Sequence, residues 1–324
     1  MDARRRLKEI AYPLRMPART LVIANPTSLG RAASRRSKSL EAKLRSALGP
    51  LDIEFTRAPR DAERIAREGV RSGIERIIVA GGDGTLSEVV TGLLSAGLGD
   101  YAAIGLLPIG TAGDFARGLG EPSDIDASID RLSDGNTIRV DAGRATYRTD
   151  DREAVTSYFA NIASLGLSGD VAELVNRTGK IFGGRLSYLM GALRGVARYR
   201  SEPVSISVDG RRVFEGALAV AAVANGPCFG AGMRIAPNAR VDDGVFDWVI
   251  VPAMSSLSLL RKIPLLYSGT HLRDPRILHG RGQIVEARAM NGPIRIDVDG
   301  ESLGALPARF ELLPGAITLL GYTQ

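Results

Sequence analysis

The stretch IIVAGGDGTLSEVV, residues 77–90, reads as a buried strand, a glycine-rich turn and the start of a helix. Its apolar run stops at Gly81 and Gly82, and apolar residues return at helical spacing after Thr85. Glycines at such a junction can adopt positive φ and let backbone N–H groups approach a phosphate. We therefore predict an anion-binding turn, followed by a helix that Thr85 caps, with Glu88 completing a capping box.

Asp83 lies in the middle of this turn, where a carboxylate would repel a phosphate group. The conflict disappears if Asp83 acts through Mg²⁺, which bridges carboxylate and phosphate oxygens. Alternatively, Asp83 orients an attacking hydroxyl group, or the segment is an ordinary tight turn without a ligand. The lysine of a Walker A loop is missing, so the turn is not a P-loop.

Two further segments repeat the pattern of a strand followed by small polar residues. IANPTSLG (23–30) begins its polar part at Asn25, and LLPIGTAGDFARGLG (106–120) contains Thr111 and Asp114. The carboxyl ends of parallel strands meet at one edge of a sheet, and ligands bind there. Loops that supply acids and hydroxyl groups at this edge suit metal-assisted phosphoryl transfer.

The pattern of apolar residues changes near residue 137, which predicts two domains. Before it, apolar strands alternate with amphipathic helices, as in a doubly wound parallel sheet with helices on both faces. After it come short alternating runs and Asp209-Gly210, a hairpin turn signal, which together predict an antiparallel β-sandwich. We expect a basic tail at 1–17, a nucleotide-binding α/β domain at 18–136 and a substrate domain at 137–302.

The composition indicates a globular protein with a basic charge balance. Hydrophobic residues make up 44% of the 324 residues, and the net charge of +6 is carried mostly by Arg. This balance favours phosphate, nucleic-acid or anionic-membrane contact, although an Arg-rich proteome would produce it too. A single cysteine, Cys228, excludes a disulfide within the chain. With only His271 and His279 present, the sequence argues against a Ser-His or Cys-His hydrolase.

The same composition sets expectations for location and partners. No apolar run approaches the ~20 residues that cross a bilayer, and the basic N-terminal segment lacks the apolar core of a signal peptide. We therefore expect a cytoplasmic protein. Its Arg-rich balance supplies the attraction for peripheral association with an anionic membrane surface, and the alternative for the basic N-terminal segment is a plain disordered tail. We expect no nucleic-acid partner, and the sequence leaves a homodimer open.

The segments NPTSLG, GGDGTLSEVV and LPIGTAGDFARGLG, in this order and spacing, resemble the catalytic family of diacylglycerol kinases. The similarity is greatest to its soluble bacterial lipid kinases, relatives of sphingosine and ceramide kinases. NAD kinases and phosphofructokinases share the Gly-Gly-Asp-Gly turn but not the later segments. Those segments, which extend the resemblance over nearly the whole chain, are VDAGR (140–144), GGRLSYLMGAL (183–193), ANGPCFGAGMRIAPNARVDDGVFDWVIV (224–251) and IDVDGE (296–301).

The resemblance implies ATP and Mg²⁺ as cofactors and assigns residues to them. Asp83 and Asp114 are expected at the phosphates and Mg²⁺, with Asp141 behind them in an acid–water–metal network. Arg185 takes a place where relatives often carry Lys near the phosphates. The residues expected to contact the nucleotide are Asn25, Pro26, Thr27, Ser28, Leu29, Thr56, Gly81, Gly82, Asp83, Gly84, Thr85, Glu88 and Thr111.

RVDDGV (240–245) resembles a second Mg²⁺ site of the family. Its ligands would be the carbonyl oxygens of Arg240 and Val245 and the side chain of Asp243, since Mg²⁺ prefers oxygen ligands. The alternative is a plain surface turn. The resemblance also implies that residues 303–324 rejoin the nucleotide domain.

Two departures from the family pattern concern the loops. Gly113 stands where Asn is commoner, which removes one hydrogen-bonding side chain beside Asp114. Leu29 precedes the glycine of the first loop and alters that turn. Neither change removes a proposed catalytic acid.

Two acids near the C-terminus, Asp299 and Glu301, are candidates for the general base. Alternation in IRIDV (294–298) predicts a strand that carries Asp297 and Asp299 on one face, with Asp297 solvated. Gly300 then forms a turn that frees Glu301 to reach the other domain. The matching family segment also ends in Asp-Gly-Glu, with Glu as proton acceptor. We predict Glu301 as base with support from Asp299; the alternative is a hairpin turn with two exposed acids.

The predicted activity is transfer of the γ-phosphoryl group of ATP to a primary hydroxyl of a diacylglycerol-like, ceramide-like or sphingoid lipid. Apolar insertions at 185–199 and 256–269 are candidates for an acyl-chain cleft or are ordinary core helices. Alternatives are a kinase of a soluble substrate such as NAD and a non-catalytic, nucleotide-sensing, membrane-associated module. The retained acids argue against the module, and the sandwich with apolar insertions argues against the soluble substrate.

Overall fold

The computed structural model describes residues 18–29, 33–109, 113–121, 124–149, 153–168 and 201–323. The predicted basic tail, Thr111, Arg185 and the apolar insertion at 185–199 lie outside these ranges. Within them the α-helices are α1 (Pro26–Leu29), α2 (Ala33–Leu48), α3 (Asp61–Arg71), α4 (Asp83–Leu94), α5 (Asp114–Gly118), α6 (Ile125–Ser133) and α7 (Ser256–Ser268), and a 3-10 turn spans Thr270–Arg273. The strands are β1 (Thr20–Ala24), β2 (Leu51–Phe55), β3 (Arg76–Gly81), β4 (Ala103–Pro108), β5 (Thr137–Arg148), β6 (Ala154–Phe159), β7 (Ile162–Gly166), β8 (Glu202–Val208), β9 (Arg211–Ala224), β10 (Phe246–Pro252), β11 (Leu278–Gly282), β12 (Ile284–Ala289), β13 (Arg295–Val298) and β14 (Glu301–Leu320).

The first four strands form a parallel sheet in the order β4–β3–β1–β2. Successive side chains of a strand point to opposite faces, and each face of this sheet is covered by helices. Leu21 and Ile23 share a core with α3 and α4, whereas Val22 and Ala24 pack with α2 and α6. The doubly wound architecture predicted from the sequence is confirmed. Its strand order places the turns after β1, β3 and β4 next to one another.

The second half of the chain is antiparallel. The pairings β9–β7, β7–β13, β13–β14, β14–β12, β12–β8 and β8–β9 close a circuit of strands. Apolar side chains from these strands, among them the fully buried Phe310, form a second core together with Phe159 of β6. Asp209 and Gly210 both have positive φ and join β8 to β9, as a two-residue hairpin turn requires. The predicted β-sandwich and its hairpin are confirmed.

β14 is a long strand that takes part in both halves. Its middle contributes Phe310 and Leu312 to the second core, and its end contributes Ile317 and Leu319 to the first. Residues Thr318–Leu320 pair in parallel with β4, next to β3. The boundaries at 136 and 302 remain predictions.

Among the described residues, no helix combines the length and the apolar character needed to span a membrane.

Candidate active site

The turn after β3 differs in detail from its prediction. Helix α4 begins at Asp83, with Gly82 as an extended N-cap that offers no side chain, so the capping box predicted for Thr85 is wrong. Neither Gly81 nor Gly82, both described, has positive φ. Gly81 is instead required for space, because a Cβ there would lie 2.6 Å from Thr85 Oγ1. The Thr85 hydroxyl, buried under the turn, accepts a hydrogen bond from Asn25 Nδ2 at 3.4 Å and joins two strand ends.

Four other residues predicted to contact the nucleotide, Asn25, Thr27, Thr56 and Glu88, lie at or near this edge of the sheet. Asn25 Oδ1 accepts hydrogen bonds from the N–H and the hydroxyl of Thr27, which shapes the turn into α1. Thr56 N–H donates to Ala24 O at the end of β2. Glu88 lies one turn into α4, and its Oε2 accepts the N–H of Ala62 at 3.0 Å, so it holds the start of α3. Burial raises the pKa of Glu88.

Asp83 connects the first loop to the second. Its Oδ2 accepts the N–H of Asp114 at 2.8 Å and its Oδ1 accepts the N–H of Phe115 at 3.1 Å. The carboxylate therefore satisfies unpaired donors at the start of α5, as a capping side chain does. This contact confirms that the loops after β3 and β4 are neighbours, and it brings two of the predicted catalytic acids together.

Asp114 connects the nucleotide half to the sandwich. It is 4% exposed, its Oδ1 pairs with Arg117, and its Oδ2 accepts the N–H of Ala231 at 2.7 Å. Ala231 lies in a turn, 230–232, in which all three residues have positive φ. Burial, followed by the charge of Asp83, raises the pKa of Asp114 to about 6.

Asp297 and Asp299 are both buried, so the prediction of a solvated Asp297 is wrong. The physical reason is that both carboxylates bind backbone N–H groups of neighbouring turns inside the fold instead of water. Asp297 Oδ1 accepts the N–H of Gly300 at 2.7 Å. The Asp299 carboxylate accepts three backbone N–H groups, those of residues 160–162, at 2.9–3.1 Å. Asp299 therefore holds the turn between β6 and β7.

Glu301 reaches the turn after β3. This contact agrees with the prediction that a turn at Gly300 lets the Glu301 side chain extend towards the other domain. Asp299 and Gly300 both have positive φ and form the turn between β13 and β14. The Glu301 side chain is exposed, and its Oε1 lies 3.5 Å from the position that a Cβ on Gly84 would occupy. The turn after β3 and the carboxylate of the sandwich therefore face each other across the domain boundary.

The buried acids predict a stability that falls as pH rises. Burial raises the pKa of Asp299 to about 7 and that of Asp297 to about 8. A carboxyl whose folded-state pKa is raised contributes stability that is fully present only below its ordinary pKa; this contribution declines as pH rises and is gone once pH has passed the folded-state pKa. We expect Tm to fall between pH 6.5 and 8.5, a window above the ordinary pKa of His271, whose own pKa is lowered by burial.

The matched variants are Asp297→Asn, which resembles the protonated acid, and Asp52→Asn on the exposed side of β2. Thermal denaturation should show a flatter decline for Asp297→Asn and an unchanged decline for Asp52→Asn. An equally steep decline in both variants would assign the effect to other groups.

Asp141 and the 240–245 loop form a separate cluster. Asp141 N–H donates to Val241 O at 2.6 Å, and its carboxylate accepts the N–H groups of Gly244 at 2.8 Å and Gly315 at 2.6 Å. Burial raises the pKa of Asp141, and Asp243 and Asp242 raise it further. Both oxygens of this carboxylate are thus used to fasten the loop to β14. Asp141 is a positioning residue for the loop.

The loop fits a divalent cation by its donor chemistry. Both carboxylate oxygens of Asp243 are buried and accept no hydrogen bond from the described residues, while Arg281 Nη1 lies 3.4 Å from Oδ2. The described residues contain no group of three or more His, Cys, Asp or Glu side chains that could hold a metal ion. A cation here would therefore need the Asp243 carboxylate together with oxygens of the backbone or of water.

Trp248, the single tryptophan, offers a test of this site. It follows Asp247, whose Oδ2 also lies near Arg281, at 3.5 Å, and it faces Gly280 across the β10–β11 pair. Mg²⁺ that competes with Arg281 for Asp243 should change Trp248 fluorescence saturably, and Asp243→Asn should weaken that binding at least about tenfold. Asp242→Asn, which alters only the acid paired with Arg240, should leave it unchanged. No Mg²⁺ response in the unaltered chain would identify a plain surface turn.

Sequence analysis did not identify two buried asparagines that connect the site. Asn225 Nδ2 donates to Asp141 O and Ala160 O, and Asn161 Nδ2 donates to Cys228 O. They join the turn that Asp299 holds to the segment that contacts Asp114. The available signal was a single amide side chain at the end of each of two apolar strands, because a buried polar group needs partners.

Comparison with known proteins agrees with this geometry. Residues 19–145 match the family model described as diacylglycerol kinase catalytic domain, and residues 161–321 match the one described as YegS C-terminal NAD kinase beta sandwich-like domain. A diacylglycerol kinase of Staphylococcus carnosus (strain TM300) is 30% identical over 295 residues, which are 91% of this chain and 92% of that protein. The chain belongs to the diacylglycerol kinase family.

Other relatives span the chain to the same extent. A diacylglycerol kinase of Bacillus subtilis (strain 168) is 29% identical over 90% of this chain and 92% of its own length. The crystal structure of a diacylglycerol kinase from Bacillus anthracis str. Sterne is 26% identical, has a TM-score of 0.73 and covers 95% of this chain and 98% of its own. Membership of the diacylglycerol kinase family makes the chain a kinase, with ATP implied as the phosphate donor.

Proposed function

We propose that this kinase is an ATP- and Mg²⁺-dependent lipid kinase that phosphorylates a primary hydroxyl of a diacylglycerol-like, ceramide-like or sphingoid lipid. The observation that carries the proposal is the approach of Glu301 Oε1 to Gly84. It aligns a carboxylate of one domain with the start of an α-helix in the other, where phosphates bind. The names of the relatives support a diacylglycerol as the first lipid to test.

In this proposal some residues bind the phosphates and another accepts the proton of the acceptor hydroxyl. The turn at 81–84 and the start of α4 bind the phosphates through N–H groups and the helix dipole. Asp83 and Asp114 fix the turn against α5 and the sandwich. Mg²⁺ would neutralise phosphate charge beside these acids when bound. Glu301 orients the acceptor hydroxyl and takes its proton.

The test is transfer of radiolabel from γ-labelled ATP to a panel of micellar lipids, with products separated and identified. The panel should include diacylglycerol, monoacylglycerol, ceramide, sphingosine and phosphatidylglycerol, with NAD as the soluble substrate. Label in a lipid product that disappears on chelation of Mg²⁺ would support the proposal. Label in NAD alone, or in no acceptor, would contradict it.

A further inference from the structure

Helix α7 exposes apolar side chains on the face turned away from the sandwich. Its inner side packs on the sheet through Leu259, with Leu260 and Leu266 partly buried in the same cluster. On the outer side Leu257 is 56% exposed and Leu265 is 39% exposed. These two residues are eight apart, so they lie about 80° apart around the helix axis and two turns apart along it. They define what we call the α7 ridge, Leu257 and Leu265.

The charges beside the α7 ridge are basic. Arg261 lies between the two leucines on the exposed side and forms no ion pair with the described residues, and the same holds for Arg273 after the helix. Residues 253–273 contain no Asp or Glu. The nearest acid in the chain, Asp274, pairs with Lys262 and Arg276. An apolar ridge whose basic neighbours outnumber this acid fits an anionic lipid surface, because Arg side chains reach the head groups while leucines enter the acyl boundary.

The α7 ridge is also connected to the catalytic cleft by hydrogen bonds. Leu266 O, on the inner side of α7, accepts the N–H of Arg234, and three residues earlier Ala231 N–H binds Asp114. A surface that binds at α7 therefore lies beside the segment that contacts Asp114.

We propose that the α7 ridge, with Arg261 and Arg273, is the surface by which the protein docks on an anionic bilayer. The proposal rests on the proposed lipid-kinase function and adds the location of the membrane contact. It differs from the expectation that α7 lines an acyl-chain cleft, because its leucines face outward. The positive charge around the ridge attracts an anionic bilayer, whereas it would repel a second copy of this basic chain.

Binding and position can be measured without turnover. Leu257→Cys, labelled with a polarity-sensitive fluorophore, should shift to the blue with vesicles of phosphatidylcholine and phosphatidylglycerol. The one native cysteine, Cys228, is buried. Tyr101→Cys, at a side chain that is 66% exposed on the connection between α4 and β4, is the matched control and should not shift. Equal shifts at both positions, or none at 257, would overturn the proposal.

Substitution of the ridge gives a second measurement. Leu257→Ser with Leu265→Ser should weaken vesicle binding at least about tenfold, while Met290→Ser, also an exposed apolar position, should not. Arg261→Glu with Arg273→Glu should remove most of the preference for anionic vesicles. Equal vesicle binding by the ridge variant and the Met290→Ser control would count against the ridge.

The kinase assay separates failure of the surface from failure of the function. The ridge variant should lose activity on long-chain diacylglycerol in vesicles and keep it on a water-soluble short-chain diacylglycerol. Lipid phosphorylation with no shift at position 257 would reject the surface and keep the function. A shift at 257 in a protein that phosphorylates no lipid would reject the function and keep the surface.

Discussion

Glu301→Gln should lower kcat by about 10²–10⁴-fold at saturating ATP and lipid. The substitution keeps the size and hydrogen-bonding reach of the side chain, so positioning survives while the capacity to accept a proton is lost. Because Glu301 is exposed, Tm should change little. Steady-state kinetics with each substrate saturating, paired with thermal denaturation, measures both effects.

Asp299→Asn is the matched comparison, and it should behave differently. The Asp299 carboxylate accepts three buried backbone N–H groups, and an amide side chain replaces one acceptor oxygen with a donor. Unsatisfied buried donors are costly, so Tm should fall together with kcat. If Glu301→Gln keeps its kcat while Asp299→Asn loses activity without loss of Tm, Asp299 is the base. If both stay active, neither is.

Asp83→Ala should lower kcat at least about 10²-fold while the protein stays folded. The substitution removes the carboxylate from the turn that we propose binds the phosphates. It also releases the N–H groups of Asp114 and Phe115, which Asp83 accepts. In the proposed function, both effects would disturb the phosphates, either directly or through the position of α5. Activity with saturating substrates, together with the far-ultraviolet circular dichroism spectrum, tests the prediction.

Asp124→Ala provides the control for a lost helix cap. Asp124 is the N-cap of α6, and its carboxylate accepts the N–H of Ala127. The substitution should cost ~1 kcal/mol of stability and leave kcat unchanged, because the hydrogen bonds of Asp124 to described residues stay within α6. Turnover of Asp83→Ala within a few-fold of the unaltered enzyme would show that Asp83 does not take part in transfer.

The sequence predicted those features that depend on neighbouring residues in the chain. Continuous apolar strands, their glycine-rich ends and the Asp209-Gly210 hairpin all follow from short-range pattern. The proximity of Asp83 and Asp114 followed as well, because parallel strands place their carboxyl ends together.

Predictions from the sequence were wrong where contacts between residues far apart in the chain determine the structure. Gly82 takes the N-cap position that Thr85 was expected to fill, because Thr85 packs under Gly81 and binds Asn25. Asp297 is buried and binds the N–H of Gly300, whereas alternation alone cannot show which face of a strand another part of the chain covers. The Glu88 contact with α3 likewise joins residues 26 positions apart. Each of these outcomes requires the three-dimensional neighbours, which a single sequence does not contain.

Because β14 lies near the C-terminus, neither hydrophobic core can be completed until synthesis of the chain is nearly finished. Both cores lack side chains until residues 301–320 are present, since Phe310 belongs to one core and Ile317 to the other. Until then β4 has an open edge, because its partner Thr318–Leu320 has not been made. Most domains fold in turn as they leave the ribosome. Here the nucleotide half must wait with an unpaired strand edge, exposed to aggregation, until nearly the whole chain has emerged.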